Sequence, residues 1–365
     1  MSFKAFRIVA LMMLLASGGC AGLQRYTFVK PEMGTGFQIV MYAPNEQIAG
    51  RASAAAWARI EQLNSILSDY DSTSELSRLS QRTLSGPMSE PVHVSDDLWR
   101  VLEESKKAAE LSDGAFDVTI GPMVRLWRRS RGQHELPTQQ RIAEARKSVG
   151  SQYMKLDSRK HTVQLLAPRM KLDVGGIAKG YTAEEAIKTI ALYGIDHALV
   201  GAAGDIAMSN PPPGKQGWHI KLEPFGDNFK EAPVYVLLKD HYGISTSGDS
   251  ERFVIINGMR YSHIIDPRTG LGLTHRIGVS VIARSAFTTD WAATAVCILG
   301  PEKGIAMIEK IPHAAARITT LEDGRIKVWE SSRFRQFVTQ VPAQVGSDDT
   351  NTQANDSKRS GEAVR

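Results

Sequence analysis

Leu172-Asp173-Val174-Gly175-Gly176-Ile177-Ala178-Lys179-Gly180 passes from an apolar run into a glycine pair and then into residues suited to a helix. With its flanks it predicts a strand over Met170–Val174, a tight turn, and a helix over Gly180–Leu192. Strands are expected on both sides. Met154–Leu156 and Thr162–Leu166 flank a turn at Asp157–Lys160, and His197–Val200, His219–Leu222, Val234–Leu238 and Gly278–Ala283 follow. Asn257-Gly258 between Phe253–Ile256 and Arg260–Ile264 is a hairpin signal, as is Asp323-Gly324. Upstream, Thr27–Tyr42 reads as a strand pair around Gly34-Thr35-Gly36. Trp57, Ile60, Leu63 and Leu67 recur at helical spacing over 51–68. Ser95 is placed to cap a helix closed by Gly114, and 288–299 reads as a further helix. Residues 128–150 are polar and read as a surface insertion with a short helix after Pro137. The fold class is α+β: mostly antiparallel sheets with packed helices, as one body or as two subdomains with a ligand between them.

The 365 residues carry 44 Lys+Arg against 39 Asp+Glu and are 42% hydrophobic, enough for a sizeable core and too mildly charged for a nucleic-acid footprint. Residues 1–19 have the layout of an export signal, with basic Lys4 and Arg7, an apolar Ile8–Ala16, and small Ser17-Gly18-Gly19 leading into Cys20. That ending is what lipoprotein signals look like, with Cys20 acylated as the new first residue; Ser17 stands where Leu is usual. Cleavage near Ala21 by an ordinary signal pathway is the alternative. Loss of Lys4 and Arg7 takes the net charge from +5 to +3. The expected organisation is a signal peptide at 1–19, a lipid-anchored spacer at 20–26, a folded domain at 27–341, and a disordered polar tail at 342–365. Cys297 among Ala295, Val296, Ile298 and Leu299 reads as a buried thiol.

Common motifs for nucleotide, zinc and serine-hydrolase chemistry are missing, so any phosphate or metal chemistry must use other parts. In 172–180 the glycines allow close approach of backbone to a ligand, the helix start favours an anion, and Lys179 could add a point charge. The same pattern fits a tight turn with a solvated lysine. In Thr289-Asp290-Trp291-Ala292-Ala293-Thr294, residues four apart share a helical face. Asp290 and Thr294 could therefore converge on a hard cation such as Mg²⁺, or merely cap and bond the helix. His263 in Tyr261-Ser262-His263-Ile264-Ile265-Asp266-Pro267-Arg268-Thr269-Gly270 could act as a general base or be structural; Asp266 and Arg268 read as turn-fixing. Phe116 and Asp117 after Gly114-Ala115, with Tyr70, could stack on and accept hydrogen bonds from a flat ring, or Phe116 could be core.

Together these stretches resemble the ApbE family, the FAD:protein FMN transferases. Met33-Gly34-Thr35, Ser74 to Leu79, Ser112 to Pro122, Leu172 to Tyr181, Ser245-Thr246-Ser247-Gly248-Asp249, His263 to Gly270 and Asp290 to Thr294 stand in family order over about 27–330. The resemblance implies that FAD binds in a groove, that Mg²⁺ bridges its pyrophosphate, and that a Thr or Ser hydroxyl of an acceptor protein attacks the FMN phosphorus. AMP then leaves. It places the metal site on the Gly176 carbonyl, Asp290 and Thr294. FAD contacts fall on Met33, Tyr70, Ala115, Phe116, Asp117, Asp173 and Ile264, and the base on His263. There are departures from the pattern: Val200-Gly201-Ala202-Ala203-Gly204-Asp205 stands where the family usually has Asn and a Gly-Gly pair before the acid, with Ala203 in place of a glycine, and Ser80 replaces Asn.

An FAD pyrophosphatase giving FMN and AMP, or a non-catalytic FAD-binding lipoprotein, would use the same parts. The resemblance also implies a membrane redox subunit as acceptor and the periplasmic face of the inner membrane as location. Ala21 supplies no retention aspartate, which leaves outer-membrane sorting open.

Overall fold

The computed structural model describes residues 22–222, 233–249 and 253–340. Cys20, the signal segment 1–19 and the tail 342–365 lie outside the described residues. Eight strands form the main sheet: β1 (Gln24–Glu32), β2 (Thr35–Ala43), β3 (Ala198–Ala202), β4 (Asp205–Met208), β5 (Gly243–Gly248), β6 (Arg276–Ala283), β7 (Ala315–Glu322) and β8 (Arg325–Glu330). Their spatial order is their chain order, and every neighbouring pair is antiparallel. The expected class, antiparallel sheet with packed helices, is what forms.

Seven α-helices complete the described body: α1 (Glu46–Leu67), α2 (Glu75–Gln81), α3 (Asp96–Leu111), α4 (Gly121–Gln133), α5 (Gln139–Arg146), α6 (Ala178–Ala191) and α7 (Ala286–Lys310). The first six, with a small sheet of Val92–His93, Thr162–Leu165 and Met154–Asp157, are inserted between β2 and β3. Alternation along the strands divides the interior. Phe37, Ile39, Met41, Val200 and Ala202 face α1 and α6, whereas Val40, Leu199, Ile244 and Ile282 face the other way. That second face is covered by Trp218–Leu222, Val234–Leu238 and Val338–Thr339. A third cluster joins the insertion to the sheet, with Leu98, Leu102, Leu172 and Tyr181 packed together with Val279, Ile318 and Val296.

Several local expectations hold for identifiable reasons. Met33 (φ 49°) and Gly34 (φ 72°) make the two-residue left-handed turn of β1–β2, and Asn257-Gly258 does the same at φ 51° and 75°. The Ser95 side chain caps α3 by accepting from the Leu98 N–H at 3.3 Å. Arg268 clasps Asp266 through its Nε at 2.9 Å and its terminal nitrogen at 2.8 Å, so this pair does fix the turn. Cys297 is fully buried, and burial pushes its thiol well above the ordinary range.

Three expectations need correction. Met170–Val174 forms no ladder beyond a single bridge from Lys171 to Ile120. Side chains and a loop take its backbone instead: Thr83 Oγ1 donates to the Met170 carbonyl, Leu172 N–H donates to Ser80 Oγ at 3.1 Å, and Asp173 N–H donates to the Val118 carbonyl at 2.7 Å. The polar stretch 128–150 does hold a short helix after Pro137, α5, but residues 128–133 are the second half of α4, which buries Met123 and Trp127 against Val254, Ile256 and Tyr261. The hairpin strand expected to reach Ile264 ends at Ser262.

The helix expected at 288–299 starts at Ala286, capped by the Ser285 side chain, and breaks after Leu299 as expected, because Gly300 is non-helical (φ 76°); a second helical run from Pro301 carries α7 on to Lys310. By length and composition α7 could cross a membrane, but 56% of its apolar window is buried inside the protein. It crosses α6 closely. A Cβ on Gly180 would lie 2.1 Å from the Ala286 carbonyl oxygen and 2.8 Å from Asp290 Cβ. Gly180→Ala is therefore expected to cost about 2–3 kcal/mol by overpacking, read from urea unfolding; a loss below about 0.5 kcal/mol would show that the crossing is not tight.

Candidate functional site

The start of α6 and the first turns of α7 meet at this crossing. Gly180 N–H donates to Asp290 Oδ2 at 2.9 Å. Lys179 Nζ lies 2.8 Å from Asp205 Oδ2 and 3.5 Å from Asp290 Oδ1, and 3.4 Å from the Gly175 carbonyl. One turn along α7 from Asp290, Thr294 faces the glycine pair: a Cβ on Gly176 would stand 3.1 Å from Thr294 Oγ1 and 3.2 Å from the Phe116 ring. Phe116 in turn packs obliquely on Trp291, with ring centroids 6.2 Å apart. Gly176, Asp290, Thr294 and Phe116 are thus brought to one place from three separate stretches.

The groups gathered there are oxygen donors with one half-buried lysine. No cluster of three or more His, Cys, Asp or Glu occurs among the described residues. A cation held here would rely on one carboxylate, Asp290, with the Gly176 carbonyl and the Thr294 hydroxyl, a hard set suited to Mg²⁺. Burial lifts the Asp290 carboxyl to about 7, and the nearby Asp205 carboxylate adds to the lift against the pull of Lys179. Burial alone would lower the Lys179 ammonium; Asp205 and Asp290 outweigh it and hold Lys179 above the ordinary lysine range. Two acids against one base leave a negative surplus when all are ionised, which is the electrostatic condition for a cation.

A second cluster lies around Asp173. Its Oδ1 accepts from Gly175 N–H at 2.9 Å, and its Oδ2 accepts from Arg128 at 3.2 Å. The other arm of Arg128 reaches Asp69 Oδ2 at 2.6 Å, and its guanidinium lies 4.0 Å over the Tyr70 ring. Burial, with the Asp69 carboxylate beside it, raises the Asp173 carboxyl. Tyr70 and Asp173 are therefore linked through a residue that sequence reading assigned to the surface; the apolar Met123 and Trp127 on its helix were the available signal.

Ala115 is buried. Asp117 is buried with both oxygens engaged, Oδ1 by the Thr119 N–H and hydroxyl at 2.8 and 2.7 Å, and Oδ2 by Ser151 N–H at 2.8 Å; burial raises its carboxyl. In this geometry it locks the 115–120 turn. Met33 packs half-buried against two of the core clusters. Ile264 is buried, with its N–H on Ser262 Oγ at 3.1 Å. His263 beside it is exposed. Its loop is pinned to α7 just past Thr294, where Arg268 donates to the Ile298 carbonyl and His275 Nε2 stands 3.1 Å from the Cys297 carbonyl. Ser245, from another family-like stretch, shares a 2.7 Å hydroxyl contact with Thr289.

Residues 33–318 match the ApbE family. The chain belongs to that family. An FAD:protein FMN transferase of Vibrio cholerae is 30% identical over 91% of this chain and 98% of its own length. The Escherichia coli K12 FAD:protein FMN transferase is 30% identical over 75% of this chain and 78% of its own. Among solved structures, the flavin transferase ApbE from Vibrio cholerae aligns with TM-score 0.76 and 28% identity, covering 86% of this chain and 99% of that one. The apo form of the Pseudomonas stutzeri flavinyl transferase ApbE aligns with TM-score 0.74 and 28% identity, over 87% and 97%. The sheet and helices described above are thus those of the ApbE fold.

The raised Asp290 carboxyl has a pH consequence. Its pKa moves from 3.8 to about 7 on folding, so the folded chain keeps a proton that the unfolded chain gives up. Stability from this group falls as pH rises from about 4 to 7. In chelator, Asp290→Asn is expected to flatten that decline in the unfolding midpoint; parallel profiles for parent and variant would contradict the assignment.

Proposed function

We propose that the chain is a Mg²⁺-dependent flavin transferase that moves FMN from FAD onto a Thr or Ser hydroxyl of an acceptor protein and releases AMP. The observation that carries this reading is the convergence of Gly176, Asp290 and Thr294 beside Lys179, within a chain whose relatives bear the name FAD:protein FMN transferase. In this reading Asp290, Thr294 and the Gly176 carbonyl hold the cation. When bound, it neutralises charge that grows on the departing phosphate.

The chain's own residues supply position and proton traffic. Asp290 is kept in register by the Gly180 N–H, and the bare backbone of Gly175-Gly176 admits the diphosphate. Tyr70, Phe116, Asp117, Asp173, Met33, Ala115 and Ile264 form the flavin and adenine contacts. His263, on an exposed loop open to a second protein, takes the proton from the acceptor hydroxyl as its oxygen bonds to the FMN phosphorus. The bond from that phosphorus to the AMP oxygen breaks, and FMN stays joined by a phosphoester. The acceptor is a membrane redox subunit with an exposed Thr or Ser in a short acidic and small-residue motif. Cys20 carries the lipid that tethers the protein at the periplasmic side of the inner membrane.

Mass spectrometry of an acceptor peptide incubated with the protein, FAD and Mg²⁺ is expected to show one added FMN phosphoester on Thr or Ser, with AMP released and no adduct in a metal-free control. Free FMN and AMP without an adduct would identify a pyrophosphatase, and intact FAD a binding protein. Asp290→Ala is expected to remove at least 100-fold of the Mg²⁺-dependent turnover, on the scale of losing a catalytic cation, while FAD binding falls less. Equal turnover would refute the metal assignment. His263→Ala should lower transfer by roughly 10²–10⁴-fold, with FAD affinity within a few-fold of the parent; wholesale loss of FAD binding would make it structural.

A further inference from the structure

Tyr70 is 79% exposed, so burial does not fix its ring. Its orientation has one evident support. The Arg128 guanidinium lies 4.0 Å over the ring while its two arms are fastened, one to Asp69 at 2.6 Å and the other to Asp173 at 3.2 Å. A planar cation forked between two carboxylates is fixed in position and tilt, and the ring stacked on it inherits that tilt. Asp173 continues directly into Gly175-Gly176, so the same guanidinium sets the ring relative to the start of the phosphate loop.

The turn bearing Tyr70 does not need Arg128 to form. Asp71 Oδ1 accepts from Thr73 N–H at 2.8 Å, Ser74 Oγ donates to the Ser68 carbonyl at 2.5 Å, and Lys171 Nζ donates to the Asp69 carbonyl at 3.2 Å. What Arg128 adds is the placing of one side chain on an already formed turn.

We infer that Arg128 is a positioning residue for the dinucleotide, holding Tyr70 as a rigid stacking wall and tying that wall to Asp173. This rests on the flavin-transferase reading and adds to it a residue on α4 that touches no reacting atom. A flat ring arriving on the open face of Tyr70 then finds the tyrosine already ordered, and binding costs less side-chain entropy. Lysine at 128 keeps the charge but cannot fork or stack in the same plane.

The experiment is a double-mutant cycle read by quenching of FAD fluorescence, using Arg128→Ala, Arg128→Lys, Tyr70→Ala and the Arg128→Ala/Tyr70→Ala pair. Arg128→Ala is expected to weaken FAD binding by about tenfold, Arg128→Lys to recover only part of the loss, and the pair to lose clearly less than the product of the two single losses. In turnover, KM for FAD should rise while kcat at saturation stays within about twofold, because only binding geometry is lost. Arg128→Lys remains informative if Arg128→Ala does not fold. Affinity within twofold of the parent for both Arg128 variants, or losses at 70 and 128 that simply multiply in the pair, would overturn the inference. A parent chain that fails to bind FAD would overturn the flavin-transferase reading itself, and this one with it.

Discussion

The contact between Gly180 and Ala286 sets how near α6 and α7 can come, and the site depends on that separation. A side chain at 180 would meet the Ala286 carbonyl oxygen at 2.1 Å, so only glycine permits the observed crossing. With the helices this close, the Gly180 N–H reaches Asp290, and the turn before α6 lies against Thr294. Packing and chemistry are here the same fact. Separating the helices by the width of a methyl group would remove the hydrogen bond to Asp290 and open the gap between Gly176 and Thr294 together.

Charge is arranged around this contact in two linked groups. Asp205 and Asp290 lie in the interior with half-buried Lys179 between them, Asp69 and Asp173 hold half-buried Arg128, and each group sets one cation between two acids. Buried carboxylates without partners would be costly, and here every one has a partner or a raised pKa. The 173–179 segment runs from one group to the other. A charged ligand lying along it would be met by fixed charges at both ends with little rearrangement.

Much of this was legible in the sequence where the signal is local. Two-residue turns such as Asn257-Gly258, the Ser95 cap and the clasp of Asp266 by Arg268 follow from the side chains themselves. The meeting of Gly176 with Thr294 is not local, and its expectation rested on resemblance to a family. Met170–Val174 misled because its apolar pattern is that of a strand, yet its backbone is satisfied by Ser80, Thr83 and Val118, partners far away in the chain. Arg128 was hidden by its polar neighbours, since the helical face that matters holds only Met123 and Trp127 before the charged run begins. Ala203 departs from the glycine of the family pattern at a cost the structure shows: it adopts φ 55°, a left-handed conformation that glycine takes without strain.

The order of strands in the sheet also bears on how the chain assembles. Because each strand pairs with its chain neighbours, most of the pairings close over short or moderate loops. The exception is β2 with β3, which must find each other across residues 44–197. Loop-closure entropy rises only slowly with length, but the search for a pairing so distant in sequence is slow unless the intervening chain has already condensed. That intervening chain carries α1 to α6, and α6 leads directly into β3 while α1 leaves directly from β2. Packing of α1 on α6, through Ala52, Ala56 and Ile60 against Ala183, Ala186 and Ile190, delivers the two strand ends side by side. The helical pair thus holds the ends of β2 and β3 where their ladder can pair Phe37 with Ala202 and Met41 with Ala198.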